Sequence, residues 1–173
     1  MQASNIVTHL QNLQDIASLN QGNRASGLSG YQASVDYVRS TLERAGYRVR
    51  VQAFPFLAFY PAGPGTLAAV TPQPAQYTWE EDFSYADQTD PGNVTAPVVP
   101  VDLALGLGNT STSGCEASDF AGFPAGAIAL MQRGTCPFGD KATNAAAAGA
   151  AGAIIFNQGD TEDRKGLLVA TLG

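Results

Sequence analysis

A chain of 173 residues has room for one ordinary domain, or for a small domain plus part of another. Hydrophobic residues make up 45% and charged residues 14%, and the apolar segments are regular, which argues for a packed core and against general disorder. The formal charge of −6 is uneven: residues 1–54 carry five arginines against three acids, and residues 55–173 carry four bases against twelve acids, an acidic body that argues against nucleic acid as a partner.

The first predicted element is a helix over residues 4–19, capped by Ser4 or Asn5, with Ile6, Leu10, Leu13 and Ala17 at helical spacing. The segment Gln21 to Gly27 breaks it, because its glycines and short polar side chains favour turns. A second helix starts with Ser29 as its cap and runs to about Ala45, along an apolar stripe of Tyr31, Val35, Val38, Leu42 and Ala45, with Gly46 as its stop. The period then changes. Tyr47, Val49 and Val51 alternate with Arg48, Arg50 and Gln52, the pattern of a strand with one wet face. Two helices and one strand cannot satisfy a strand's backbone groups, so this front part needs a sheet supplied from elsewhere.

Residues 55–92 are broken up by Pro55, Pro61, Pro64, Pro72, Pro74 and Pro91; short strands are expected at Leu67–Val70 and around Tyr77 and Trp79. From Val94 the pattern sharpens. Val98, Val99 and Val101 predict a strand ending near Asp102, and Ala125–Met131 reads as a buried strand. A tight connection at Arg133–Cys136 leads into an alanine-rich helix from Phe138 to Ala150, followed by a strand at Ala153–Asn157. Strand, helix, strand predicts a parallel pair joined by a crossover. Asp160 to Lys165 is a charged loop, Leu167 to Leu172 starts another strand, and the sequence reads as unfinished at Gly173.

A search for chemistry finds little. No run of 18 apolar residues spans a membrane, and residues 1–20 have neither the basic leader nor the apolar stretch of a signal peptide. His9 is the single histidine, so no histidine-based metal pattern exists, and no nucleophile motif of the Gly-x-Ser-x-Gly type occurs. Glu80, Glu81 and Asp82 read as a solvated turn rather than a metal site. Gly27 and Gly30 lack the lysine of a phosphate loop. Cys115 and Cys136 are too few for a four-ligand zinc site and too far apart for a redox pair; a disulfide and two buried thiols both remain open at this point. Arg24 reads as a buried tie from the interhelical loop to backbone carbonyls, as a surface residue, or as a substrate contact. Arg133 organises the turn before Cys136 or touches a ligand, and Phe138 is a core residue or a peptide-docking aromatic.

The run Gly126–Phe138, then Lys141, Asn144 and Ala145, and Gly149–Asn157, resembles the core signature of protease-associated (PA) domains over about residues 60–173. That resemblance implies that Cys115, in Gly114–Glu116, and Cys136 form the family's disulfide. The front part, through Leu10–Ile16, Gly22–Gly27, Gly30–Val38 and Leu42–Tyr47, is similar to the opening of secreted zinc aminopeptidases of the M28 family, in which a PA domain is inserted after an early strand. The resemblance implies an α/β fold: a small PA domain of mixed strands and helices at 57–173, preceded at 1–56 by two helices and a strand of an incomplete peptidase domain. It implies a secreted parent enzyme with two zinc ions, whose ligands and general base match no residue here, so no catalytic, cofactor-binding or metal residue is carried over. The chain is then expected to be inactive alone, with the remainder of the peptidase domain as its partner and a peptide or protein substrate as a second candidate. No nucleic acid or membrane partner is expected. The alternatives are a freestanding protein- or peptide-binding or sorting module, and an enzyme of another class with an unrecognised acidic site.

Overall fold

The computed structural model describes residues 2–173. The chain divides into two compact units, one reaching to Ala58 and the other spanning Phe59–Gly173.

The first unit is a helix pair. Helix α1 spans Ala3–Leu19 and α2 spans Ser29–Arg44. Neither is capped as the sequence suggested. Gln2 and Leu28 hold the N-cap positions with extended backbone and no side-chain bond, which puts Ser4 and Asn5 in the first turn of α1 and makes Ser29 the first helical residue of α2. The helices meet where their side chains are small. Ala17 and Ser34 are buried, and Gly30 lies so close to the Asn23 carbonyl that any Cβ there would collide with it. Farther along, the Tyr37 hydroxyl contacts His9 Nδ1 at 2.6 Å and accepts from Asn12 Nδ2 at 3.2 Å. The predicted strand at 47–52 does not form: these residues lie outside regular structure. The alternating pattern is present, but a strand needs a ladder partner for its backbone groups.

The second unit opens with a hairpin of β1 (Leu67–Ala69) and β2 (Ala75–Tyr77), antiparallel with Leu67 opposite Tyr77. Trp79 lies beyond β2 in an isolated bridge with Phe83, its ring packed on Phe83 and Tyr85 at centroid distances of 5.4 and 4.4 Å. A three-stranded parallel sheet follows, with β4 (Ile128–Gln132) between β3 (Val98–Pro100) and β5 (Gly152–Phe156). Val98 and Gly152 both face Ile128 in register. Helix α3 (Phe138–Ala147) connects β4 to β5 as the crossover. It ends three residues earlier than the alanine run suggests, because Ala150 N–H turns back to donate to the Ala145 carbonyl at 3.0 Å.

Around β4 the core gathers Val101, Phe120, Ala129, Met131 and Ala145, with Phe123, Ala148, Ala150 and Ile155 packed against them. Alanines on α3 keep that helix close to the sheet. The expected strand at 167–172 is reduced to a single bridge: Asp87 N–H donates to the Ala170 carbonyl and Leu172 N–H to the Asp87 carbonyl, at 2.9 and 3.0 Å. No helix among the described residues is long and apolar enough to cross a membrane.

Candidate functional site

The densest chemistry lies in the second unit, in a polar knot beneath the loop Ser111–Cys115. The loop is held by side chains from β4 and α3. The side-chain oxygen of Ser113 donates to the Val101 carbonyl and accepts from Gln132 N–H at 3.0 Å, tying the loop to β3 and β4. Gln132 is fully buried at the end of β4. Its amide accepts from Ala104 N–H at 2.9 Å and donates to the carbonyls of Ala104 and Gln158 at 3.0 and 2.6 Å. Gln158 in turn donates to the Asn109 carbonyl at 3.1 Å and accepts from Arg164 Nη1 at 3.0 Å.

From α3, Asn144 Nδ2 donates to the carbonyls of Gly114 and Cys115 at 3.1 and 2.9 Å. Lys141 sits one turn earlier on the same face and is fully buried. Its ammonium donates to the Ser113 carbonyl and lies 3.7 Å from Cys115 Sγ. Burial pulls the Lys141 pKa below its ordinary 10.5, and the charge of Asp119 opposes that fall in part.

Cys115 and Cys136 are joined, with their Cα atoms 5.7 Å apart, so of the two alternatives left open by spacing the structure has the disulfide. Arg133 is half-buried; its backbone N–H donates to the Phe156 carbonyl at 2.8 Å and its Nη1 to Asn157 Oδ1 at 3.4 Å, linking the turn to the end of β5. Phe138 is half-buried at the first position of α3. Arg24 is in the other unit, exposed, beside a groove of about 310 Å³ lined by Leu13, Tyr31, Val35, Val38 and Val51. The structure brings Cys115, Cys136, Arg133 and Phe138 to one region of the second unit, while Arg24 belongs to the first. A second cleft, of about 500 Å³, lies against β5, between Gly152–Ile154, Leu67, Tyr85 and Val94.

The zinc of the resembled enzymes finds no fit here. Among the described residues no group of three metal-ligating side chains comes together, and His9 lies beside Tyr37 at 2.6 Å. Glu80–Asp82 forms a turn in which Asp82 Oδ2 accepts from Thr78 N–H at 2.7 Å. Sequence reasoning missed the knot itself. Gln132 follows an apolar strand and Lys141 lies in an alanine helix, places where a polar letter reads as a wet edge. The available signal was spacing: Lys141, Ala145 and Ala148 share one helical face, and two of the three belong with the core.

Comparisons with known proteins fit this geometry. A model of the PA domain matches residues 94–171, which hold the parallel sheet, α3 and the knot. Over all 173 residues the chain is 69% identical to an aminopeptidase of Pseudomonas aeruginosa, of which it covers 32%. The solved aminopeptidase from Aneurinibacillus sp. strain AM-1 superposes with a TM-score of 0.69 at 32% identity, covering 99% of this chain and 35% of that one. BSAP, a zinc aminopeptidase from Bacillus subtilis, does so with a TM-score of 0.53 at 25% identity, covering 87% of this chain and 31% of that one. The chain thus spans about a third of the length of these relatives. Residues 94–171 match the PA domain, and the chain is similar along its length to about a third of each of these aminopeptidases.

Proposed function

We propose that this chain is the non-catalytic section of an exported, zinc-dependent aminopeptidase of the M28 type. In this reading the zinc ligands and the general base stand on residues outside the chain. The helix pair docks against the remainder of the peptidase domain, and the PA unit serves as scaffold and as a wall for peptide access. The observation that carries it is the 69% identity along the entire chain to an aminopeptidase three times as long. The apolar surface of the helix pair supports it, since Val7, Leu10 and Leu19 are 61%, 60% and 86% exposed. Export is supported by the disulfide, which persists in oxidising compartments.

A chimera tests the reading: this chain replaces the matching section of the Pseudomonas aeruginosa aminopeptidase, and turnover of a leucyl chromogenic substrate is followed with and without a zinc chelator. The expected result is chelator-sensitive turnover by the chimera and none by the isolated chain. Zinc-dependent turnover by the isolated chain, or a folded chimera without activity, overturns it. A second reading, a module that binds peptide by itself, is favoured by the cleft against β5. Its test is binding of unlabelled peptides to the isolated chain by calorimetry.

A further inference from the structure

The Lys141 ammonium is fully buried, yet no carboxylate among the described residues forms an ion pair with it. Its immediate partners are the Ser113 carbonyl and Cys115 Sγ, at 3.7 Å. A sulfur in a disulfide is neutral and does little for that charge. Asp119 acts on the ammonium through its field without an ion pair, and a thiolate on Cys115, itself half-buried as Cys136 is, would put a full counter-charge in contact with it. Cys136 is placed differently. It lies between the exposed residues Thr135 and Pro137, just before the N-cap of α3. A helix N-terminus offers a thiolate only a partial positive charge, weaker than a whole charge at contact.

We propose that the Cys115–Cys136 disulfide is a polarised thiol-exchange site, in which an external thiolate attacks Cys136 Sγ and Cys115 leaves as a thiolate held against Lys141. In thiol–disulfide exchange the sulfur with the lower thiol pKa leaves faster, and Lys141 confers that property on Cys115. The step balances without an oxidant. One sulfur–sulfur bond forms between the incoming thiol and Cys136, the Cys115–Cys136 bond breaks, and its electron pair stays on Cys115. The released arm does not drift away. Asn144 still holds the carbonyls of Gly114 and Cys115, and Lys141 that of Ser113. Cys115 is thereby kept beside Cys136, where it can attack the mixed disulfide, expel the external thiol and restore the bridge. The PA unit thus carries a reversible S-thiolation site at Cys136.

The experiment exposes the full chain to reduced glutathione, quenches in acid, alkylates with N-ethylmaleimide and locates both adducts by peptide mass spectrometry. The expected result is glutathione on Cys136 and the maleimide on Cys115, with a bias of about tenfold or more. In Lys141→Met the bias falls away and opening slows by a comparable factor, while Lys141→Arg retains both. Glutathione chiefly on Cys115, an even split in the unaltered chain, or an unchanged bias in Lys141→Met overturns the proposal. Should Lys141→Met not fold, the unaltered chain's adduct distribution still decides the direction. The thiolate absorbance of Cys136→Ser, expected at lower pH than that of Cys115→Ser, then decides the cause.

Discussion

At single side chains, the energetics of the PA unit turn on polar atoms with no water to fall back on. Gln132 is the clearest case, since its amide answers Ala104 on both backbone groups and also the Gln158 carbonyl. Gln132→Leu keeps most of the volume but leaves the half-buried Ala104 N–H and carbonyl unanswered, while the Gln158 carbonyl keeps Asn109 Nδ2 at 3.0 Å. Each such group costs about 1–3 kcal/mol when buried, so a loss of about 2 kcal/mol is expected in urea unfolding. A loss under about 1 kcal/mol would mean that water reaches the knot. Lys141 gives a prediction in pH. Burial lowers its pKa in the folded chain below the 10.5 of the unfolded one. Between those two values the unfolded chain binds more protons, so the Lys141 contribution to stability rises with pH across that window. Below the window both states are protonated and the cost of burying the charge is constant. Urea midpoints of the unaltered chain and Lys141→Met, compared from neutral pH up to 10.5, should therefore diverge in favour of the unaltered chain as pH rises. Parallel curves would show that the ammonium is not desolvated.

At the scale of elements, close approaches fix the geometry. Gly134 lies against the Ser111 carbonyl, with no room for a Cβ, and Thr135 N–H donates to that same carbonyl at 3.2 Å. Gly134→Ala must push the turn off the loop, so it should cost about 1–3 kcal/mol and loosen Cys136 from its partner loop. A substitution with no effect on the urea midpoint would mean that the loop moves freely. The disulfide closes this arrangement across a separation of 21 residues, and the paired Cys115→Ala, Cys136→Ala variant should lose about 3 kcal/mol on the loop-entropy estimate. Much of this level was legible in the letters. The apolar runs at 98–101, 128–131 and 153–156 announce the strands, and strand–helix–strand order announces their parallel pairing. What stayed hidden has physical causes. The alternation at 47–52 specifies a face but not a partner, so it gives no strand here. Helix starts at Ala3 and Ser29 rest on backbone geometry rather than on capping side chains, and leave no letter to read. The knot was hidden for the opposite reason, because Gln132 and Lys141 are buried by contacts far apart in sequence.

For the molecule as a whole, the two units differ in how much they bury. The PA unit has a continuous core around β4. The helix pair has Ala17 as its one buried apolar side chain among the described residues, while Ile6, Val7, Leu10, Val38 and Leu42 remain exposed. Ordering a residue costs about 1–2 kcal/mol of backbone entropy, and most of a helix's stability in a protein comes from packing its apolar face. With so little apolar surface removed from water, the helix pair should open at far lower denaturant than the PA unit. Its apolar stripes are regular, so the shortfall lies in what covers them and not in the helices. The exposed aromatics Phe54 and Phe56, with Leu57, lie just before the boundary between the units. Limited chymotrypsin digestion should therefore cut first within residues 1–58 and leave a resistant product starting near Phe59. Hydrogen exchange should agree, with fast amides in α1 and α2 and slow ones in β4 and α3. On the proposed docking, the same bonds in α1 and α2 should become protected in the chimera with the longer aminopeptidase, because Leu10, Val38 and Leu42 would then be covered. Equal resistance of both units in the isolated chain would show that the helix pair already has a cover, and would remove the physical reason for docking it onto a peptidase domain.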